Sequence, residues 1–133
     1  MVADALAERI TAYFASCNDD PPDVIAAHFT DDAVIFDTNH APIRGAEAIG
    51  AFWERIRGQW DGAVWGIDRI ISDGESAAIE WYMRGVGTQG PFIFRGSEHY
   101  AFEADRIAEI RQYWTFDRDV PDTGLQGYDY GPG

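Results

Sequence analysis

Apolar residues recur at helical spacing through the first quarter of the chain, where Leu6, Ile10, Tyr13, Phe14 and Cys17 share one side of a wheel. Asp4, Glu8 and Arg9 fall elsewhere on it, so the spacing predicts a first helix from Val2 to Cys17. Asn18, Asp19, Asp20 and two prolines end that pattern, and Asp20 before Pro21 reads as an N-cap with proline opening a second, short helix to about Phe29. After Asp31 and Asp32 the run AVIF predicts a short strand, closed by the turn residues Asn39, Pro42 and Gly45. From Ala46 the spacing of Ile49, Phe52, Trp53 and Ile56 (i, i+3, i+4, i+7) gives a third helix.

Beyond Gly62 the period changes. Segments 63–71, 76–86, 92–102 and 106–116 are rich in β-branched and aromatic residues and are divided by SDGE, GTQGP and EAD. Three successive hairpins are the simplest reading, which makes the second half an antiparallel meander. Alternation puts Ile79, Trp81 and Met83 on one face of their strand and Glu80, Tyr82 and Arg84 on the other. It likewise groups Glu98 with Tyr100 and Phe102. The fold class expected is α+β, with three N-terminal helices packed on a curved antiparallel sheet as a single domain over residues 1–116. Residues 117–133 are polar and glycine-rich, a tail that is loosely held or straps a neighbouring subunit.

Composition narrows the partners. Ten basic against twenty-three acidic residues give a formal net charge of −13, which repels nucleic acid and anionic membrane surfaces. The first residues carry acids where a signal peptide needs a basic start, and no stretch is long and apolar enough to span a bilayer. With a lone Cys17, this points to a cytoplasmic protein. Aromatic residues make up 14% of the chain, including five Trp, enough to line a cavity as well as fill a core.

Several motifs dissolve on inspection. GVGTQG at 85–90 matches the dinucleotide fingerprint in letters, but Pro91 and FIFRG follow where a helix is required, so it reads as a hairpin loop. His28, Asp31, Asp32, Asp37 and His40 are metal-ligand types without a tight pair such as HxD or HxxxH, and no metal is expected. Arg55 and Arg57 read as a solvated helix face, and Cys17 as a small buried hydrophobe. Two carboxylates stand out. Asp37 falls where AVIF ends and the polar turn begins. Glu98 either faces the core, where burial favours the protonated form, or pairs on the surface with Arg95 or Arg111.

The layout of a helix bearing Tyr13, then FTDDAVIFD, RGAEAIGAFW, GSEHYAF and RIAEIRQYW, resembles the NTF2-like (cystatin-like) superfamily over residues 5–116, and within it the ketosteroid isomerase and SnoaL-like cyclase branch. The resemblance implies a cone-shaped fold, a homodimer, no cofactor, and a small hydrophobic carbonyl compound handled by acid/base proton transfer. In ketosteroid isomerases a first-helix tyrosine and a late-strand acid donate hydrogen bonds to an oxyanion while an aspartate shuttles the proton. By resemblance these roles fall on Tyr13, Glu98 and Asp37, with Phe52, Trp53, Trp81, Met83, Tyr100, Trp114 and His28 expected to line the substrate pocket. Glu98 replaces that family's aspartate and Thr38 its proline, which sets the steroid substrate apart; SnoaL-like cyclases keep an acid at the place Glu98 occupies. A non-catalytic small-ligand-binding or assembly module of the same fold is the rival reading.

Overall fold

The computed structural model describes residues 5–117 and 119–131, leaving out the Asp61 side chain. Helix α1 runs Ala5–Asp19 and buries Ile10, Tyr13, Phe14, Ser16 and Cys17 on the stripe that periodicity selects; the expected start at Val2 lies outside the described residues. Helix α2 is a single turn, Pro22–Ala26, shorter than expected. Pro21 occupies its N-cap and no side chain caps it, so Asp20 does not play that part. Strand β1, Phe29–Asp37, begins where the second helix was expected to end. Strand β2 is only Ile43–Arg44, within the stretch read as a turn. Helix α3 spans Ala46–Gln59 with Ile49, Gly50 and Trp53 buried. Strands β3 (Asp61–Ser72), β4 (Ser76–Gly87), β5 (Gly90–Glu103) and β6 (Arg106–Trp114) form the three hairpins. GVGTQG is the β4–β5 turn, with Gly87 paired to Gly90.

The six strands lie in the order β2-β1-β6-β5-β4-β3. The sheet is mixed and not wholly antiparallel, because β1 pairs in parallel with β6. A register shift between Phe29 and Val34 accommodates the exposed Asp31 and Asp32, after which Ala33, Ile35 and Asp37 turn to the inner face. That inner face carries Trp65, Ile79, Trp81, Met83, Phe92, Phe94, Tyr100 and Ile110, all buried against the helices. Arg57 also differs from the solvated face expected of it. Its guanidinium donates to the carbonyls of Cys17 and Asp20 at 2.8 and 2.9 Å, tying α3 to the end of α1.

The tail returns to its own chain. Where β5 runs ahead of β6 its edge is open, and there the Ile93 N–H donates to the Pro121 carbonyl at 2.7 Å and the Thr123 N–H to the Ile93 carbonyl at 3.2 Å. Arg95, paired with Asp68 at 2.5 Å, lies 3.5 Å from the centre of the Tyr130 ring. Among the described residues no helix is long and apolar enough to cross a membrane.

Candidate active site

A cavity of about 190 Å³ lies between the inner sheet face, α1 and α3. Tyr13, Phe14 and Cys17 reach it from α1, and Phe52, Trp53, Ile56 and Gln59 from α3, with Trp60 just after that helix. The sheet contributes Trp65, Trp81, Met83, Glu98, Gln112 and Trp114. Asn39 and His40 from the turn after β1, together with Phe116, complete the lining. Gly96 makes the floor possible: a Cβ there would lie 2.7 Å from the Trp114 Cβ and 2.8 Å from Trp81 Cζ2, so only glycine lets the two indoles cross this strand.

Strand register aligns the polar groups. Asp37 on β1 pairs with Gln112 on β6, and Gln112 pairs with Glu98 on β5. Two strand spacings put the backbones of the two acids roughly 10 Å apart, with one amide side chain between them. Their environments contrast. Glu98 is 3% exposed and accepts a 2.5 Å hydrogen bond from the Tyr100 hydroxyl. Burial raises its pKa to about 8, the Tyr100 bond pulls it down, and the Asp37 charge pushes it up again. Glu98 is therefore mostly protonated at neutral pH. Arg95 and Arg111 are engaged with Asp68 and Glu109, so the surface pairing weighed for Glu98 does not form.

The Asp37 carboxylate is surrounded by donors. The Asn39 N–H reaches Oδ1 at 2.7 Å, the Trp114 indole N–H lies 3.0 and 3.2 Å from the two oxygens, and the Gln112 amide donates to Oδ2. His40 Nε2 stands 3.3 Å from Oδ2, while its Nδ1 lies 2.9 Å from the Ala41 carbonyl. The Asp37 side chain is fully enclosed whereas that of His40 is 32% exposed. Asp37 thus lies behind the lining, and His40, in contact with it, is part of that lining.

Tyr13 is 1% exposed, and burial, reinforced by Cys17 and Glu98, holds its hydroxyl protonated far above the usual range. Cys17 is likewise pushed up by burial, as an unreactive core thiol would be. Trp53 Nε1 and Trp81 Nε1 are buried without a hydrogen-bond partner.

Of the residues expected at the pocket, Phe52, Trp53, Trp81, Met83 and Trp114 line it with Tyr13 and Glu98. Tyr100 does not, because it lies one step further along the strand, beneath Glu98 and bonded to it. His28 does not either. It follows α2, and its Nε2 is 2.8 Å from the Ser16 hydroxyl, with burial lowering its pKa. Gln112 and His40 were missed as site residues. A lone polar residue alternating between Ile110 and Trp114 was the available signal for Gln112. For His40 there was only its place three residues after Asp37.

The SnoaL-like domain family model matches residues 10–110. No curated protein matches the chain. Among solved structures, a hypothetical protein with a ketosteroid isomerase-like fold from Catenulispora acidiphila superposes with a TM-score of 0.75 at 20% identity, covering 82% of this chain and 86% of that one. A protein of unknown function with a cystatin-like fold from Methylobium petroleophilum gives 0.75 at 26% identity over 98% and 90%. An LEH-like epoxide hydrolase from M. tuberculosis gives 0.71 at 21% identity over 84% and 83%.

Proposed function

This chain belongs to the SnoaL-like domain family, and from that premise we propose that its cavity performs acid/base proton transfer, of isomerase or cyclase type, on a small hydrophobic carbonyl compound. The observation that carries the reading is a buried acid, Glu98, held protonated near neutral pH in the same apolar cavity as the Tyr13 hydroxyl and one residue across the sheet from the enclosed Asp37. A carbon acid beside a carbonyl gives up its proton only where the developing enolate is stabilised. Tyr13 and Glu98 supply neutral donors for that oxygen. Asp37 and His40 act as the proton-accepting pair. The other partners of Asp37, a backbone amide, an amide side chain and an indole, neither gain nor lose charge near neutral pH, which leaves His40, 3.3 Å from Oδ2 and part of the cavity lining, as the imidazole through which the pair accepts the proton. These groups form a complete set for enolisation without a cofactor.

Tyr13→Phe is the cleanest test, since it deletes one donor and leaves a ring of the same shape in the core. Turnover of a carbonyl substrate should fall on the order of 10²–10³-fold with binding little changed. Wild-type turnover in that variant would overturn the reading. Asp37→Asn should also stop turnover, but it sets an amide N–H₂ against donors that need an acceptor, so its effect on folding must be measured beside it.

A further inference from the structure

Tyr100 lies outside the cavity lining, yet its one polar atom touches the acid on which the proposed chemistry depends. Side chains two positions apart on one face of a strand start roughly 7 Å apart. The Tyr100 ring must therefore lean back along β5 for its hydroxyl to reach Glu98 Oε1 at 2.5 Å. Packing keeps it there: the Phe102 ring lies nearly parallel to it at 6.1 Å and 18°, and its cross-strand neighbours are the small Ala77 on β4 and the apolar Ile110 on β6.

The direction of this bond follows from counting protons. The Tyr100 hydroxyl is buried, and Glu98 is its only hydrogen-bond partner among the described residues. Were it to accept a proton from Glu98, its own would be buried without an acceptor, which is the costlier arrangement. Burial, reinforced by Glu98 and Tyr13, keeps that proton on the phenol far above the usual range. Tyr100 therefore donates to Oε1, and protonated Glu98 carries its hydrogen on Oε2. Among the described residues Oε2 has no hydrogen-bond partner, and it is not sealed in protein either. An oxygen that is neither bonded nor sealed opens onto free space, and at Glu98 that space is the cavity its side chain lines.

We infer that Tyr100 is a positioning residue: by claiming Oε1 it assigns the acid's proton to Oε2 and holds that oxygen on the cavity side, facing the substrate carbonyl of the acid/base reading on which this inference rests. As the carbonyl oxygen takes up charge, the Oε2 proton moves towards it and Glu98 gains carboxylate character, while the proton lost from carbon rests on the Asp37 and His40 pair. A hydrogen bond to a carboxylate is stronger than one to a neutral acid, so the Tyr100 bond tightens as the reaction proceeds and favours the transition state over the bound substrate. The titratable groups facing Glu98 are Asp37 from β1, Tyr13 and Cys17 from α1, and Tyr100 on its own strand. Of these, Tyr100 alone is hydrogen-bonded to it.

The test compares the wild type with Tyr100→Phe, which removes the hydroxyl and keeps the ring. With [¹³Cδ]glutamate labelling, the Glu98 carboxyl signal, identified by its loss in Glu98→Gln, is titrated in both. Its midpoint, about 8 in the wild type, should rise by about one pH unit in Tyr100→Phe. In exchange of the cyclohexanone α-protons in D₂O, kcat should fall on the order of tenfold with KM little changed, and the basic limb of kcat/KM should move up with the carboxyl midpoint. A packing role alone would lower the melting temperature and leave midpoint and limb in place. An unmoved midpoint, or wild-type kcat in the folded variant, would overturn the inference. If Tyr100→Phe does not fold, 3-fluorotyrosine in place of every tyrosine decides: as a stronger donor it should lower the midpoint, and an unchanged midpoint overturns the inference. A wild type that exchanges no α-proton overturns the acid/base reading instead, and the carboxyl titration, which needs no turnover, then decides whether Tyr100 holds Glu98.

Discussion

Replacing Glu98 by Gln should flatten the pH dependence of stability, and the size of the change follows from where the carboxyl sits. Burial, the largest cause, pushes the Glu98 carboxyl up to about 8 in the folded chain from its ordinary 4.5. The sign is opposite to that of a salt-bridged acid. Below pH 4.5 the group is protonated in both states and has no effect on stability. As pH rises from 4.5 towards 8 the unfolded chain releases this proton while the folded chain keeps it, so unfolding becomes steadily easier; above 8 both states are ionised and the full destabilisation persists. At about 1.4 kcal/mol per pKa unit, this one group removes roughly 4 kcal/mol of stability between pH 5 and pH 9. Urea unfolding across that range measures it, since a loss of this size moves the midpoint by well over 1 M. Glu98→Gln keeps an acceptor for the Tyr100 hydroxyl and has no proton to lose. The wild type minus variant difference cancels every other titrating group and should grow with pH, with the wild type losing ground. A difference that stays level from pH 5 to 9 would refute the protonated, enclosed Glu98.

On the proposed acid/base reading the same proton governs turnover. If Glu98 donates to the oxyanion, kcat/KM should fall as pH rises through about 8, and in Glu98→Gln that limb should disappear from the pH–rate profile. His28 titrates below its usual range because of burial, so the wild type should gain stability as pH rises through the interval just under 6.5, and His28→Gln should lack that gain in thermal melts. Two glycines of α3 should respond in opposite directions. A Cβ at Gly50 would lie 2.2 Å from the Pro22 carbonyl oxygen, so Gly50→Ala should lower the melting temperature by pushing α2 off α3. At Gly58 a Cβ meets nothing within 4 Å, so Gly58→Ala should stabilise by about 0.5–1 kcal/mol through helix propensity.

Much of the fold was legible because local patterns decided it. The helical stripe of Ile10, Tyr13, Phe14 and Cys17, the alternation of Ile79, Trp81 and Met83, and the SDGE, GTQGP and EAD turns are each written within a dozen residues. The parallel pairing of β1 with β6 was not legible, since it joins strands some seventy-five residues apart and depends on a register shift that no local signal reports. The same distance hid the site's polar order. That Asp37 and Glu98 share one face can be argued from alternation, but that Gln112 stands between them, and that Trp114 and His40 enclose Asp37, follows only from that long-range register. Tyr100 was placed on the correct face and at the wrong depth, because alternation gives direction and says nothing of where a cavity ends.

The central claim is that the Asp37–His40 pair takes a proton from a carbon acid whose oxygen is held by Tyr13 and Glu98. Proton exchange at carbon tests it without knowledge of the final product: small cyclic ketones are incubated with the protein in D₂O, and loss of the α-proton signal is followed by NMR. Catalysed exchange that falls on the order of 10²–10³-fold in Tyr13→Phe is the predicted result. Ketones that bind in the cavity yet exchange no faster than in buffer would contradict the account and leave a binding protein in its place.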